Sequence, residues 1–436
     1  MQRLRIAESP IDEAGLKAAL DVIATEHGAA TPAARKAALE LLKEVLANGR
    51  GLIRTRLEQD GKGLACAERL AALIDTIITA LFDFATSHVF PVSNPSAAER
   101  LSLAAVGGYG RGTLAPYSDL DLLFLFPWKQ TAWSESVTEY ILYMLWDLRL
   151  KVGHATRTVN ETLKAARDDM TIRTALLEAR PLAGDKALFE ECQTRFQKEV
   201  VAGTARQFIA AKLAERDARH GKSGKSRYLV EPDVKDGMGG LRDLHTLLWI
   251  ARYIFDSTSL GDLAERGIFT PEEMARFIKC EDFLWAVRCH MHFMTGRAID
   301  RLTFELQADL AERLGYSSRG GLKHVERFMK HYFLLAKEVG DLSRIFCAVL
   351  EARAVKKAPG MADFWRGLTG GSKAAITPDG WFCIDAGRVN VIDEDCFARH
   401  PIAVLKLFAV ADERKIAVHP DALKIVRRSL PQVCAQ

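Results

Sequence analysis

The sequence predicts an α+β protein, with a few short buried strands set in a largely α-helical chain that includes a helical bundle. Two apolar runs bounded by turn residues, 101–106 and 120–126, have the length and flanks of buried strands. Long stretches on either side repeat apolar residues every three or four positions, which is helical spacing. At 436 residues the chain also exceeds one ordinary domain core, and at about 150 residues per domain it should hold two or three units.

Residues 1–95 read as helical. Thr31-Pro32 has the form of an N-cap followed by proline in the first helical position, and Leu39, Leu42 and Leu46 recur at helical spacing behind it. A second helix is expected over 65–84, with Leu70, Leu73, Ile77 and Leu81 on one face. Pro91-Val92-Ser93-Asn94-Pro95 ends the region, which carries no recognisable chemistry. The strand 101–106 then runs into Gly107-Gly108, and 120–126 follows as a second strand. Apolar positions 133, 137, 141, 144 and 148 specify a helix, and a third strand is expected at 154–159. From about 200 the pattern is helical again, apart from a glycine-rich segment at 237–240. Phe277, Cys280, Leu284, Val287, Met291 and Met294 step alternately by three and four, as do Val325, Phe328, Tyr332, Leu335, Val339, Leu342, Phe346 and Val349, so two long helices should pack along these seams. Residues 355–374 look like a linker, 381–392 like a hairpin through Asp385-Ala386-Gly387, and a helix should begin near Ile402.

Composition narrows the function classes. Hydrophobic residues at 48% and charged residues at 27% are globular usage, not that of a disordered chain. A net charge of +4 is too mild to argue for a nucleic-acid partner. The eight cysteines are scattered without a C-x-x-C pair, which favours buried thiols over a disulfide framework or zinc site. An acid, Glu8, precedes any apolar stretch, and no uncharged apolar run approaches the ~18 residues of a membrane span, so the expected setting is cytoplasmic, with no membrane partner.

The informative stretch is 106–123. A strand entering Gly107-Gly108 lets the backbone approach a ligand and present N–H groups to an anionic phosphate tail, although the Gly-Lys-Ser/Thr ending of a P-loop is missing. Asp119 and Asp121, two apart on a strand, share a face while Leu120 and Leu122 point to the other. Two carboxylates on one face repel unless a cation lies between them. Magnesium takes such oxygens together with substrate phosphates. The plainer alternative makes Asp119 a turn residue and Asp121 a solvated strand position. It struggles with the buried run Leu122-Leu123-Phe124-Leu125-Phe126 that follows.

The string Gly107-Gly108-Tyr109-Gly110-Arg111-Gly112-Thr113-Leu114-Ala115-Pro116-Tyr117-Ser118-Asp119-Leu120-Asp121-Leu122-Leu123 resembles the nucleotidyltransferase motif of the DNA polymerase β superfamily. In its detail it is similar to the bacterial protein-PII uridylyltransferase/uridylyl-removing family. Glu231-Pro232-Asp233-Val234-Lys235-Asp236-Gly237-Met238-Gly239-Gly240-Leu241-Arg242-Asp243-Leu244 matches a second motif of that family, and the segments 174–185 and 325–329 add to it. The resemblance spans roughly residues 100–430.

It implies a polymerase β-like core, a small mixed sheet with helices, at 96–200, preceded by the helical region 1–95. A helical bundle domain at 201–354 and a linker, hairpin and C-terminal helical segment at 355–436 would follow. Gly107 and Gly108 would hold a nucleoside triphosphate, Asp119 and Asp121 would bind magnesium or manganese and carry catalysis, and Ser118 would help position the phosphates. Arg111 is either a triphosphate contact or a solvated loop arginine. The superfamily's third carboxylate has no counterpart in His154-Ala155-Thr156-Arg157-Thr158, which leaves the base for the acceptor hydroxyl unassigned.

The implied reaction is transfer of UMP from UTP to a tyrosine of the PII nitrogen-regulatory protein, releasing pyrophosphate. Two other readings stay open. One is an adenylyltransferase acting on a PII-like protein or glutamine synthetase, although those enzymes resemble the chain less around 107–111 and 231–244. The other is a catalytically silent regulatory module, against which the intact Asp119/Asp121 pair argues. No His-Asp pair occurs in the sequence, so the family's HD hydrolase and glutamine-sensing ACT domains are expected to be missing, and with them nucleotide removal and glutamine sensitivity.

The helix opening at 237–240 leaves two readings: Lys235 and Arg242 take a phosphate, or they pair with Asp236 and Asp243 in a structural network, which is the favoured one. His290 and His292 point in different directions on one helix and make a poor metal pair.

Overall fold

The computed structural model describes residues 11–433 apart from 95, 223–227, 256–262, 264, 358–379, 386–387, 394, 415 and 417. The chain folds as two compact units, one of residues up to 262 together with 275–337, the other of 263–274 together with the chain from 338 onward.

The first unit begins with three packed helices, α1 (Glu13–His27), α2 (Pro32–Asp60) and α3 (Gly63–Phe84). Thr31 caps α2 as its sequence predicts, its hydroxyl accepting the Ala34 N–H at 3.1 Å with Pro32 in the first turn. By length and composition Gly63–Val89 would pass for a membrane span, but 72% of its most apolar window is buried within the fold, which accounts for that composition. At the start of α3 a Cβ on Gly63 would lie 1.9 Å from the Ala286 nitrogen, and Asp282 accepts the Leu64 N–H at 2.9 Å. Helix Pro271–Thr295 thus both abuts α3 and caps it.

Four strands follow: β1 (Ser102–Ala105), β2 (Leu120–Phe126), β3 (Val152–Thr158) and β4 (Arg180–Gly184). They form a mixed sheet in the order β3-β2-β1-β4, with β1 antiparallel to both β2 and β4, and β2 parallel to β3. The parallel pair is joined by the crossover helix α5 (Ala132–Asp147), as a parallel connection requires. The expected strands are present. β4 was not expected; it contains Pro181 and Gly184, residue types that are uncommon inside a strand. Its pairing to β1 also shifts register between Leu103 and Ala104.

Helices Pro271–Thr295 and His324–Lys357 carry the two heptad seams, with Phe277, Leu284, Val287, Phe328, Tyr332, Val339 and Phe346 buried. Within the first unit the seams meet where the Phe283 ring lies 4.8 Å from that of His331. The second unit contains the expected hairpin, β5 (Phe382–Asp385) against β6 (Arg388–Val391), closed over Phe397, Leu407 and Ala422 by helices that include Ala403–Glu413. The expected linker at 355–374 lies outside the described residues from 358 on. Cys66, Cys192, Cys280, Cys289 and Cys396 are buried, Cys347 and Cys383 are partly buried, and Cys434 lies outside the described residues.

Candidate active site

Asp121 is the exposed position in an otherwise buried β2, so its carboxylate leaves the sheet on the open side while its neighbours fill the core. Register places Gly153 of β3 directly beside it. A Cβ on Gly153 would come 2.7 Å from Asp121 Oδ1, and one on Gly107 would come 3.3 Å from Oδ2. Both carboxylate oxygens therefore lie against glycine surface where any side chain would crowd them. Gly107 has φ +57°, a left-handed conformation suited to glycine, and opens the one-turn helix α4 (Gly107–Gly110) directly behind β1. Asp119, one residue before β2, is also exposed. Asp121 is held above the ordinary carboxylate range, first because surrounding protein displaces water from it, then because Asp119 opposes its ionisation; Lys235 pulls the other way.

The loop between β1 and β2 is held from three sides. The Tyr109 hydroxyl donates to Asp75 of α3 at 2.6 Å, and Arg180 of β4 donates to the same carboxylate at 2.8 Å, its guanidinium 5.2 Å from the centre of the Tyr109 ring. Arg111 is neither solvated nor pointing freely at the cleft: its guanidinium is ion-paired to the buried Glu178 at 2.7 Å. It still borders the turn, 3.7 Å from where a Cβ on Gly108 would lie. Further along, the Leu114 N–H reaches the Ala67 carbonyl at 3.0 Å and Arg50 lies over the Tyr117 ring. The N-terminal helices, which show no chemistry in sequence, are thus the wall against which the glycine loop is set.

Beside Asp121 opens a cleft of about 340 Å³, an ordinary size for a small-ligand site. It is lined by Gly153, His154 and Arg157 of β3 and by Thr171, Ile172 and Leu176 of helix α7 (Met170–Leu177).

The second motif closes on the same region. Asp233 accepts the backbone N–H groups of Lys235 and Asp236 at 2.9 and 2.6 Å, a turn that brings Lys235 toward the buried edge of Asp300, Nζ to Oδ2 3.9 Å. Asp300 also accepts from Arg288 at 2.7 Å and pairs with His292 at 3.1 Å, while Arg288 reaches the Ser118 hydroxyl at 3.4 Å. Burial alone would favour the neutral acid at Asp300, but His292 and the Arg288 guanidinium hold it well below the usual carboxylate range. Arg242 pairs with Asp236 at 3.0 Å, as the network reading expects. Asp243 does not join that pair. It follows Arg242 directly and so projects from a different side of the helix, where it is buried and bound by Arg219, His220 and the Gly239 N–H.

The structure thus sets Gly107 against Asp121, Arg111 beside Gly108, and Ser118 and Asp119 just ahead of β2; of these six, Asp121 is the one that lines the cleft. Sequence reasoning did not find Gly153, Glu178, Asp75, Arg288 or Asp300 in supporting places there. Gly153 falls just outside the expected strand 154–159 and inside the observed one, Val152–Thr158. Among the described residues no group of three acidic, histidine or cysteine side chains could hold a metal. The donor set is two exposed carboxylates two residues apart, with glycine on both sides of Asp121. That set suits magnesium or manganese if phosphate oxygens and water complete the shell.

Residues 94–181 match the nucleotidyltransferase domain family, and 207–347 match the GlnD PII-uridylyltransferase family. Among curated proteins, the chain is 50% identical over 426 residues to a bifunctional uridylyltransferase/uridylyl-removing enzyme of Bradyrhizobium sp. strain ORS 278, covering 98% of this chain and 46% of that protein. It is 51% identical over 431 residues to the enzyme so named in Rhodopseudomonas palustris, covering 99% of this chain and 46% of that one. The chain spans about half the length of the curated relatives it matches. With the motif, the mixed sheet and these matches in agreement, the chain carries a nucleotidyltransferase domain at 94–181 and a domain of the GlnD PII-uridylyltransferase family at 207–347.

Proposed function

We propose that this chain transfers UMP from UTP to a tyrosine hydroxyl of a PII signalling protein, with a divalent magnesium or manganese ion held by Asp119 and Asp121. The observation that carries the reading is the pair of exposed carboxylates at the start of β2, one of them set between Gly107 and Gly153 beside a ligand-sized cleft. The names of the relatives support uridine as the base, and the description of the family matched at 207–347 supports PII as the acceptor.

In this reading Gly107 and Gly108 present backbone N–H groups to the triphosphate, and the Ser118 hydroxyl lies alongside. Arg111, fixed by Glu178, supports the turn and borders the phosphates. The cleft lined by β3 and α7 takes the nucleoside. The acceptor oxygen bonds to the α-phosphorus, and the bond from that phosphorus to the bridging oxygen breaks, its electron pair leaving with pyrophosphate. The tyrosine proton passes to solvent. When bound, the cation supplies charge neutralisation at the phosphates and lowers the cost of ionising the attacking hydroxyl. Residues 1–436 alone are expected to add the nucleotide without removing it, since the sequence holds no His-Asp pair.

The test is incubation of the purified chain with PII protein, magnesium and each labelled nucleoside triphosphate in turn. Label should appear on PII from UTP, with pyrophosphate released. Equal labelling from all four triphosphates would refute the uridylyl assignment, and labelling without a divalent ion would refute the role of Asp119 and Asp121.

A further inference from the structure

Four cations, Arg111, Arg242, Arg288 and Lys235, lie close enough to the buried His245 to depress its protonation together, burial being the larger cause. They are therefore gathered in one part of the first unit. Their counter-charges are unequal. Arg111 has Glu178 and Arg242 has Asp236, one carboxylate each. Arg288 and Lys235 share the single carboxylate of Asp300, and His292, which also binds it, is buried with its proton affinity lowered by that burial. The Lys235 contact is long at 3.9 Å, and its side chain is 34% exposed. Geometry ties the pair to the candidate site: Arg288 reaches the Ser118 hydroxyl at 3.4 Å, next to Asp119 in the chain, and Lys235 meets Arg288 at the Asp300 carboxylate.

We infer that Lys235 and Arg288 bind the β- and γ-phosphates of the nucleotide and carry the charge of the departing pyrophosphate, with Asp300 as the residue that positions both. The inference rests on the nucleotidyl-transfer reading and adds to it the leaving-group side of the site, contributed by the 207–347 segment to a centre whose carboxylates lie in 94–181. A planar guanidinium held edge-on by one carboxylate keeps its remaining N–H groups fixed for phosphate oxygens, and an ammonium loosely held beside it can turn to a second phosphate. The base and ribose gain nothing from these two groups, so their contribution should appear only with ligands that carry the distal phosphates.

The experiment compares magnesium-dependent binding of UTP, inorganic pyrophosphate and UMP by the full chain in the wild type, Lys235→Gln, Arg288→Lys and Asp300→Asn. Lys235→Gln changes a partly exposed side chain and should fold. It is expected to lose about tenfold or more in affinity for UTP and pyrophosphate, the scale of one charge-assisted hydrogen bond, and to leave UMP unchanged. Arg288→Lys keeps a cation for Asp300 but not the fork, and Asp300→Asn releases both cations; each should show the same selective loss. Folded variants that bind pyrophosphate as the wild type does, or lose UMP as much as UTP, overturn the inference alone. A wild type that binds neither UTP nor pyrophosphate overturns the transfer reading as well.

Discussion

Asp121 and Gly153 form one device, a carboxylate and the absence of a side chain next to it. Asp121→Asn removes the charge at nearly constant volume, so transfer should fall by about 100-fold or more while thermal stability holds or rises slightly, Asp119 having lost its repelling neighbour. Gly153→Ala should do comparable damage by geometry alone. Its Cβ would press on Oδ1 from 2.7 Å, and displacing a reacting group by about 1 Å costs roughly 100-fold. Wild-type turnover in the alanine variant would show that Oδ1 has room to spare. Away from the chemistry, burial pushes the Glu281 carboxyl up to about 7, with Glu68 and Asp282 reinforcing and Arg111 opposing. The unfolded chain ionises this group near 4.5, so between about 4.5 and 7 the folded state holds the extra proton and loses stability as pH rises. Glu281→Gln should therefore stabilise at pH 8 by on the order of 3 kcal/mol and by little at pH 4.5, read from urea melts at both pH values. At this scale the sequence revealed the residues that are adjacent in the chain, Gly107-Gly108 and Asp119-x-Asp121. It did not reveal Gly153, because strand pairing and not sequence proximity puts that glycine against Asp121.

Helices and strands with a clear period were legible, and those carrying breakers were not. Thr31 as cap, the four-three steps of 277–294 and the apolar strand 120–126 all match what their spacing specifies. β4 escaped because proline at 181 and glycine at 184 argue against a strand, yet both are tolerated at the edge of a sheet, where β4 lies. Its position matters, since Arg180 on β4, Tyr109 on α4 and Asp75 on α3 lock three elements around one carboxylate. Tyr109→Phe should cost about 1 kcal/mol, a single hydrogen bond. Asp75→Ala should cost about 3 kcal/mol, because it leaves a largely buried guanidinium uncompensated. Equal losses in the two variants, measured by chemical denaturation, would show that Asp75 serves Tyr109 only.

For the molecule as a whole, composition pointed to globular usage and the spacing of apolar residues to an α+β chain, and the two long motifs lie in the segments that the family models match. What the sequence could not show is how those motifs meet. Ser118 and Arg288 are 170 positions apart and neither has a neighbour that advertises the other. The lock around Asp75 has a practical corollary for dissecting this protein. The borders of the nucleotidyltransferase match, 94 and 181, exclude the carboxylate to which Tyr109 and Arg180 are tied, and the Ala67 carbonyl that receives Leu114. A peptide trimmed to those borders would keep Asp119 and Asp121 and lose the surface on which their loop is cast. Expressed alone it should lack a cooperative thermal transition, and co-expression with residues 11–93 as a separate polypeptide should restore one. Sequence similarity marks where this ancestry is recognisable; the smallest piece expected to fold by itself is larger, and includes the helix that carries Asp75 and Ala67.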